Sequence, residues 1–494
     1  MKRIVAMLGA AGLALALPSA ANAQKDTLSL GMSVEPPHLD PSGGAAGSIR
    51  EVTYANVYEG LTRIDRNGQV RPALAESWAR SEDGLTYVFT LRAGVKFHDG
   101  SDFDAADVKF TFDRAMAPDS TNAQKWIFAP IESVSAAEPR KVTIKLKHPV
   151  GNFLYNLGWG DAVIFAPESV ASNKQTPVGT GPFKFERWVR GDRVELSRFE
   201  GHRDAASIKL RRATFRFIQD PAAQVAALRA GDLDAFPNLG APETLDQFKN
   251  DARFKVVVGA TEGEVVLAIN NTKPPLDDVR VRRAISHAID RKAVVDGAWS
   301  GYGPPIGSHF SPLHPAYVDL AGVYPYDPAK ARALLREAGV REGATLNMRL
   351  PPFPYAPRAG EIVKAFLEQV GLKVNYELIQ APQWLQQVFR ERQYDLTIVA
   401  HTEPLDINIY ARDDYYFGYK NPAFKELIAT IERTLDEGER NKLLGEAQRI
   451  IARDAVNGFL FQLPKLGVWN ADLEGLWENS PIQANDLTEA RWRR

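Results

Sequence analysis

LAESWARSEDGLTYVFTLRAGVKFHDGSDFDAADVKFTFDR, residues Leu74 to Arg114, carries several local structural signals in succession. Ser81-Glu82-Asp83-Gly84 has the composition of a tight turn. Tyr87, Phe89 and Leu91 alternate with Val88 and Thr90, the period of a half-buried strand. Ala93-Gly94 turns the chain into Val95-Lys96-Phe97, expected as the second member of a strand pair, and Asp99-Gly100 closes that segment. Asp104 stands where a helix N-cap belongs, with Asp107 three residues on as the reciprocal acceptor of a capping box. All of these features are structural, so the stretch specifies a module without supplying a reactive group.

Outward from this module the chain alternates strand and helix patterns. Phe215 to Ile218 reads as a strand, Asp220-Pro221 as a helix start, Gly231 as its stop, and Leu233 to Phe236 as a returning strand. Asp277-Asp278 precedes a helix with Val281, Ala284, Ile285, Ala288 and Ile289 on one face. Asp290 caps the next, through Val294, Val295 and Trp299. Pro328 to Ala338, Ala359 to Val370 and Pro382 to Arg390 are further helices, and Lys373 to Ile379 and Tyr394 to Ala400 further strands. The order argues for a mixed α/β fold. At 494 residues the chain exceeds the size at which one core stops growing, so two or more lobes are expected.

The N-terminus reads as an export signal. Lys2-Arg3 precedes an apolar run from Ile4 to Leu17, Pro18 and Ser19 break it, and Ala21-Asn22-Ala23 fits a small-x-small cleavage site. The run is shorter than the roughly 20 residues a membrane span needs. Residues 1–23 are therefore expected to be removed, leaving a periplasmic chain that begins at Gln24. There is no cysteine for a lipid anchor or a disulfide framework. Net charge is -1, becoming -3 without Lys2 and Arg3, with no basic stripe, so nucleic acid is a poor partner. Nine Trp suit a cleft lined with flat side chains, although core packing is the commoner role for any single one.

Several long motifs in order resemble the peptide/nickel/oligopeptide class of bacterial extracellular solute-binding proteins (family 5), the receptors of ABC importers. Besides Leu74 to Arg114, these are Gly179-Thr180-Gly181-Pro182-Phe183, the block from Asn271-Thr272 through Asp277-Asp278-Val279-Arg280-Val281-Arg282 to Ala288-Ile289-Asp290-Arg291, and Tyr419-Lys420-Asn421-Pro422-Ala423-Phe424. The resemblance implies a bilobal α/β periplasmic binding protein (type II, cluster C) with three domains. Domain I would hold 24–60, 177–268 and 462–494, an inserted domain II 61–176, and domain III 269–461, with the ligand cleft between lobes. It also implies a receptor without cofactor or turnover, working as a monomer that captures a peptide or peptide-like small polar solute by lobe closure. The solute passes to an inner-membrane ABC permease.

The principal candidate site is the loop after strand Tyr394 to Ala400, since ligands favour crevices beyond the carboxyl ends of strands. It reads His401-Thr402-Glu403-Pro404-Leu405-Asp406. In dipeptide-binding members an aspartate in this region pairs with the peptide α-ammonium, which the resemblance implies for Asp406; a helix cap or turn role is the competing reading. His401 and Glu403 flank it. Arg412 is a candidate for a ligand carboxylate or a surface partner of Asp413 or Asp414, and Tyr416 a stacking or hydrogen-bonding residue. Phe353, Tyr355 and Trp384 are candidate walls, with core packing as the equal alternative for each, and the segment Leu350 to Tyr355 lacks the arginine of the dipeptide binders. Glu35 and Phe310 complete the ligand-binding set.

Other readings are an opine or amino-acid conjugate, a metal chelate, or a secreted hydrolase using Glu403 and Asp406 as acid and base. No GxSxG, HExxH or Walker motif supports an enzyme. No resident metal is expected: His309 and His314 are close in sequence but on a loop, and His401 beside Glu403 is only a two-ligand pair. Intact-mass measurement of the exported chain is expected to give Gln24 as its first residue; a retained Met1–Ala23 segment would reverse the export reading.

Overall fold

The computed structural model describes residues 25–493, so the export signal and the residue expected to begin the mature chain lie outside the described residues. Its framework is a ten-stranded mixed sheet in the order Leu372–Leu378, Ala344–Leu350, Leu396–His401, Phe254–Ile269, Gly458–Asn470, Ala235–Phe236, Thr27–Met32, Arg212–Phe217, Arg193–Arg198, Phe183–Val189. Two long central strands, Phe254–Ile269 and Gly458–Asn470, run antiparallel and tie the two halves together. Their pairing shifts register between Ala260 and Glu264, so residues 261–263 bulge out of the ladder near the middle of the sheet.

The half beyond the bulge is covered on both faces. Val265, Leu267 and Ile269 point into one core, with helices Val279–Ala288, Arg291–Trp299 and Tyr355–Gln369. Val266 and Ala268 point into another with Ile407, Tyr410, Tyr416 and Phe417. Burial on both faces gives an unbroken apolar run rather than alternation, as a central strand requires. On the other half, Leu28, Leu30, Phe215, Val194 and Phe183 form a separate core.

The stretch Leu74–Arg114 builds a second sheet, in the order Ala75–Arg80, Thr86–Leu91, Lys141–Leu146, Ile131–Glu138. Tyr87, Phe89 and Leu91 are buried, as their alternation requires. Helix Ala105–Met116 opens with the expected capping box of Asp104 and Asp107. Val95–Phe97 is not the second strand of the pair. Thr86–Leu91 pairs instead with Ala75–Arg80 and Lys141–Leu146. Between Gly94 and Gly100, both at positive φ, the chain folds as successive turns with a single Lys96–Asp102 bridge, and Val95 and Phe97 plug the core.

Helices capped by Asp220, Asp278 and Asp290 form as expected. The helix expected from Ala359 starts earlier, at Tyr355, because Pro357 lies in its first turn where no intrahelical N–H is needed. The helix expected over Pro382 to Arg390 begins at Ala381 and changes to a π-helical turn, Leu385–Arg390. The strand expected from Leu233 contracts to Ala235–Phe236.

Gly179 and Gly181 show why their motif tolerates no side chain. Gly181 N–H donates to Val57 O (2.9 Å), Phe183 N–H to Asn56 O (2.8 Å), and His98 N–H to Gly179 O (2.9 Å). A Cβ on Gly179 would lie 2.0 Å from Val57 O, and one on Gly181 2.4 Å from Asn56 O. The backbone contact joins this segment to residues 56–57 and to His98 of the opening stretch. Gly179→Ala is therefore expected to destabilise the chain by about 2–3 kcal/mol, at the upper end of overpacking effects, read as a lower urea midpoint.

Candidate functional site

Strand Leu396–His401 ends beside the bulge, where His401 pairs with Glu264 across the ladder. The chain then turns through Leu405, at φ 61°, and Asp406 begins the 3-10 helix Asp406–Ala411. This places the Asp406 carboxylate between two imidazoles from distant segments. His309 Nε2 lies 2.7 Å from Asp406 Oδ1, and His401 Nδ1 lies 3.5 Å from Oδ2. Tyr416 OH lies 3.1 Å from His401 Nε2.

A hydrogen-bond relay sets the His309 tautomer. Asn457 Nδ2 donates to Tyr410 OH at 2.9 Å, so the phenol has its own proton free for His309 Nδ1, 3.2 Å away. On the other side of the ring His309 Nε2–H donates to Asp406. Burial pushes the His309 pKa down, against the pull of the Asp406 charge. For Asp406 burial acts upward, but His309 and His401 outweigh it and hold the carboxyl well below its usual range. The aspartate remains ionised.

Two further acids face this charge from the bulge, and neither stands out in the sequence. Glu262 and Glu264 are 9% and 3% exposed. Burial, helped by the Asp406 charge and opposed by the Ser311 hydroxyl, pushes Glu262 up to about 8. Glu264 is raised well above its usual value by burial and then by the Asp406 and Glu262 charges. The bulge is fixed by Thr261: its Oγ1 donates to Leu463 O and accepts from Gly263 N–H, and its carbonyl accepts from Gln462 Nε2 and Ser311 Oγ. Tyr155, on the short helix Phe153–Asn156, faces the bulge from the second sheet's side; burial first and the Glu262 charge second raise its phenol. Lys465, buried on the other crossing strand, faces Glu51, and burial lowers its ammonium to about 8.

The other sequence candidates divide into two groups. Tyr416 and Trp384 pack edge-on at 6.1 Å beside His401, and Trp384 Nε1–H donates to Thr397 Oγ1 at 2.9 Å. Tyr355 is buried, its hydroxyl accepting from Ala400 N–H, while Phe353 stacks on it with 42% exposure. Glu403 is exposed at the loop tip, with its charge felt by Glu264 and His309. Arg412 is in the surface pair, 3.2 Å from Asp414 and over the Tyr415 ring. Glu35 is engaged elsewhere, its Oε1 accepting from Trp188 Nε1–H and Gly191 N–H. Phe310 is a core residue against His314, so His309 and His314 do not converge.

Among the described residues, His309, His401 and Asp406 form a group whose donor atoms lie within 4.8 Å of one another, close enough to share an ion. Both nitrogens of His309 are engaged, by Tyr410 and by Asp406, so the trio closes through hydrogen bonds.

Contacts join the flanks of this region. Gly151 N–H donates to Glu432 O and Arg440 Nη1 to Gly151 O. Gln483 Nε2 donates to Thr402 Oγ1, and Arg358 pairs with Glu243.

Residues 69–406 match the family model described as bacterial extracellular solute-binding proteins, family 5 middle. The chain is 30% identical over 461 residues to the glutathione-binding protein GsiB of Salmonella paratyphi A, covering 89% of each chain. The periplasmic binding protein DppA from Helicobacter pylori, in complex with the peptide STSA, superposes with a TM-score of 0.82 at 23% identity, over 95% of this chain and 98% of that one. AgaA from A. tumefaciens R10, in complex with agropinic acid, gives 0.81 at 22% identity, over 95% and 99%.

The raised acids have a measurable consequence without ligand. Their folded pKa values lie above the ordinary value of 4.5, so the folded state keeps protons that the unfolded chain releases. The stability these two acids contribute is then fully present below pH 4.5 and declines as pH rises toward 8. Thermal melts of the ligand-free protein are expected to show this decline, and Glu262→Gln is expected to flatten it.

Proposed function

The chain belongs to the bacterial extracellular solute-binding proteins of family 5, and on that premise we propose that its ligand is a peptide-like solute whose ammonium pairs with Asp406. The protein is the binding component of an ABC importer and not an enzyme. The observation that carries the ligand reading is the ionised, buried Asp406, fixed by His309 at 2.7 Å beside the bulge. An ammonium supplies the charge-assisted partner such a carboxylate lacks. Tyr416, Trp384, Tyr355 and Phe353 form the aromatic wall, His401 orients Asp406, and Glu403 adds negative potential at the rim. Lys465 is the cation assigned to an acidic end of the ligand, in place of the arginine absent near Phe353. Arg412, Glu35 and Phe310 act as structural residues.

The proposal includes the domain division 24–60, 177–268 and 462–494; 61–176; and 269–461, with closure favoured because ligand contacts both lobes. The chain acts in the periplasm as a monomer after loss of residues 1–23, and nucleic acid is not a partner. The agropinic acid of the AgaA complex supports one second reading, an opine-like conjugate carrying an amine.

Asp406→Ala is expected to weaken an ammonium-bearing ligand by about 2–5 kcal/mol, as for removal of one partner of a buried charge pair. The measurement is calorimetry against the molecule released from the purified protein. Unchanged affinity would remove Asp406 from the site.

A further inference from the structure

The cluster around Asp406 holds more carboxylates than one α-ammonium can satisfy. Glu262, Glu264 and Asp406 are mutually close enough for each charge to be felt by another, and Glu403 adds a fourth. The groups around them are the His309 and His401 rings, the Ser311 hydroxyl and the phenols of Tyr155 and Tyr410. Both His309 nitrogens are engaged, by Tyr410 and by Asp406. A second observation points at a missing partner. Oε2 of Glu264 is fully shielded and has no hydrogen-bond donor among the described residues. A buried acceptor without a donor is costly, and an N–H group brought to it relieves that cost.

We propose that Glu264 and Glu262 form a second cationic subsite, which takes a basic group of the ligand, a guanidinium or a side-chain ammonium. This inference rests on the cleft reading above and narrows its substrate class to solutes with a second positive charge. A guanidinium or ammonium brings several N–H donors to an acceptor-rich wall, where an orphan oxygen waits. It also satisfies the bulge electrostatically, since a buried carboxylate ionises readily only beside a cation. Burial raises both acids above their usual range, so a basic group that ionises them displaces protons.

The test is calorimetry at pH 7 with Ala-Arg and its neutral isostere Ala-citrulline, together with arginine and agmatine. Wild type is expected to bind Ala-Arg at least about tenfold more tightly than Ala-citrulline, and Glu264→Gln to bring that ratio close to one. Asp406→Asn is expected to weaken both peptides alike. A wild-type ratio near one, or a ratio that survives both Glu264→Gln and Glu262→Gln, would overturn the subsite. So would failure of wild type to bind Ala-Arg, arginine or agmatine, or tight stoichiometric uptake of Zn(II) alone that is lost in the glutamate variants. Glu264-dependent agmatine binding without peptide binding keeps the subsite and removes the peptide-like reading. Unchanged Ala-citrulline affinity in Asp406→Asn counts against the Asp406 reading alone.

Discussion

The antiparallel pairing of Phe254–Ile269 with Gly458–Asn470 is the constraint on which the rest of the structure depends. These strands belong to both halves of the ten-stranded sheet, so they fix how the halves meet. A continuous ladder would place residues 261–263 in regular pairing, with successive side chains on opposite faces. The bulge breaks that rule, and Thr261 stabilises the break with bonds to Leu463, Gly263, Gln462 and Ser311. Glu262 and Glu264 are thereby brought to the place where His401 ends its strand and Asp406 begins a helix.

Electrostatics divides the acids gathered at that place. Asp406 keeps its charge because N–H donors outweigh desolvation, while the bulge acids take up protons because burial is unopposed by any cation. Carboxyls of similar intrinsic acidity thus adopt opposite states within one cluster. The division suits a receptor whose affinity comes from a ligand's positive charge. The contacts of Gly151 with Glu432 and Arg440, and of Gln483 with Thr402, hold the flanks around this cluster.

Much of the fold was legible because it is written in local chemistry. Asp104 with Asp107, and Asp220, Asp278 and Asp290, each bind backbone N–H groups within three residues, so caps can be read without knowing the tertiary structure. The alternation of Tyr87, Phe89 and Leu91 is equally local. The expected partner of that strand was wrong because strand pairing is non-local: Lys141–Leu146 lies some fifty residues away in the chain. Asp406, His401, Tyr416 and Trp384, candidates from the sequence, come together in the structure because they lie at or near one strand end. His309 was grouped with His314 when its partner is Asp406, 97 residues distant. Glu262 and Glu264, in the run Val256-Val257-Val258-Gly259-Ala260-Thr261-Glu262-Gly263-Glu264-Val265, look like surface positions of a strand.

By itself the sequence determined the α/β alternation, the turns and caps, the export-signal pattern, and the family to which the chain belongs. Each depends on residues close in the chain or on motifs in a fixed order. Only the tertiary structure decided that His309 holds Asp406, that Arg412 and Glu35 are engaged outside the cluster, and that Glu264 is buried without a donor. Protonation and unmet hydrogen bonding depend on solvent exclusion and on groups brought together across the fold, which sequence spacing does not encode.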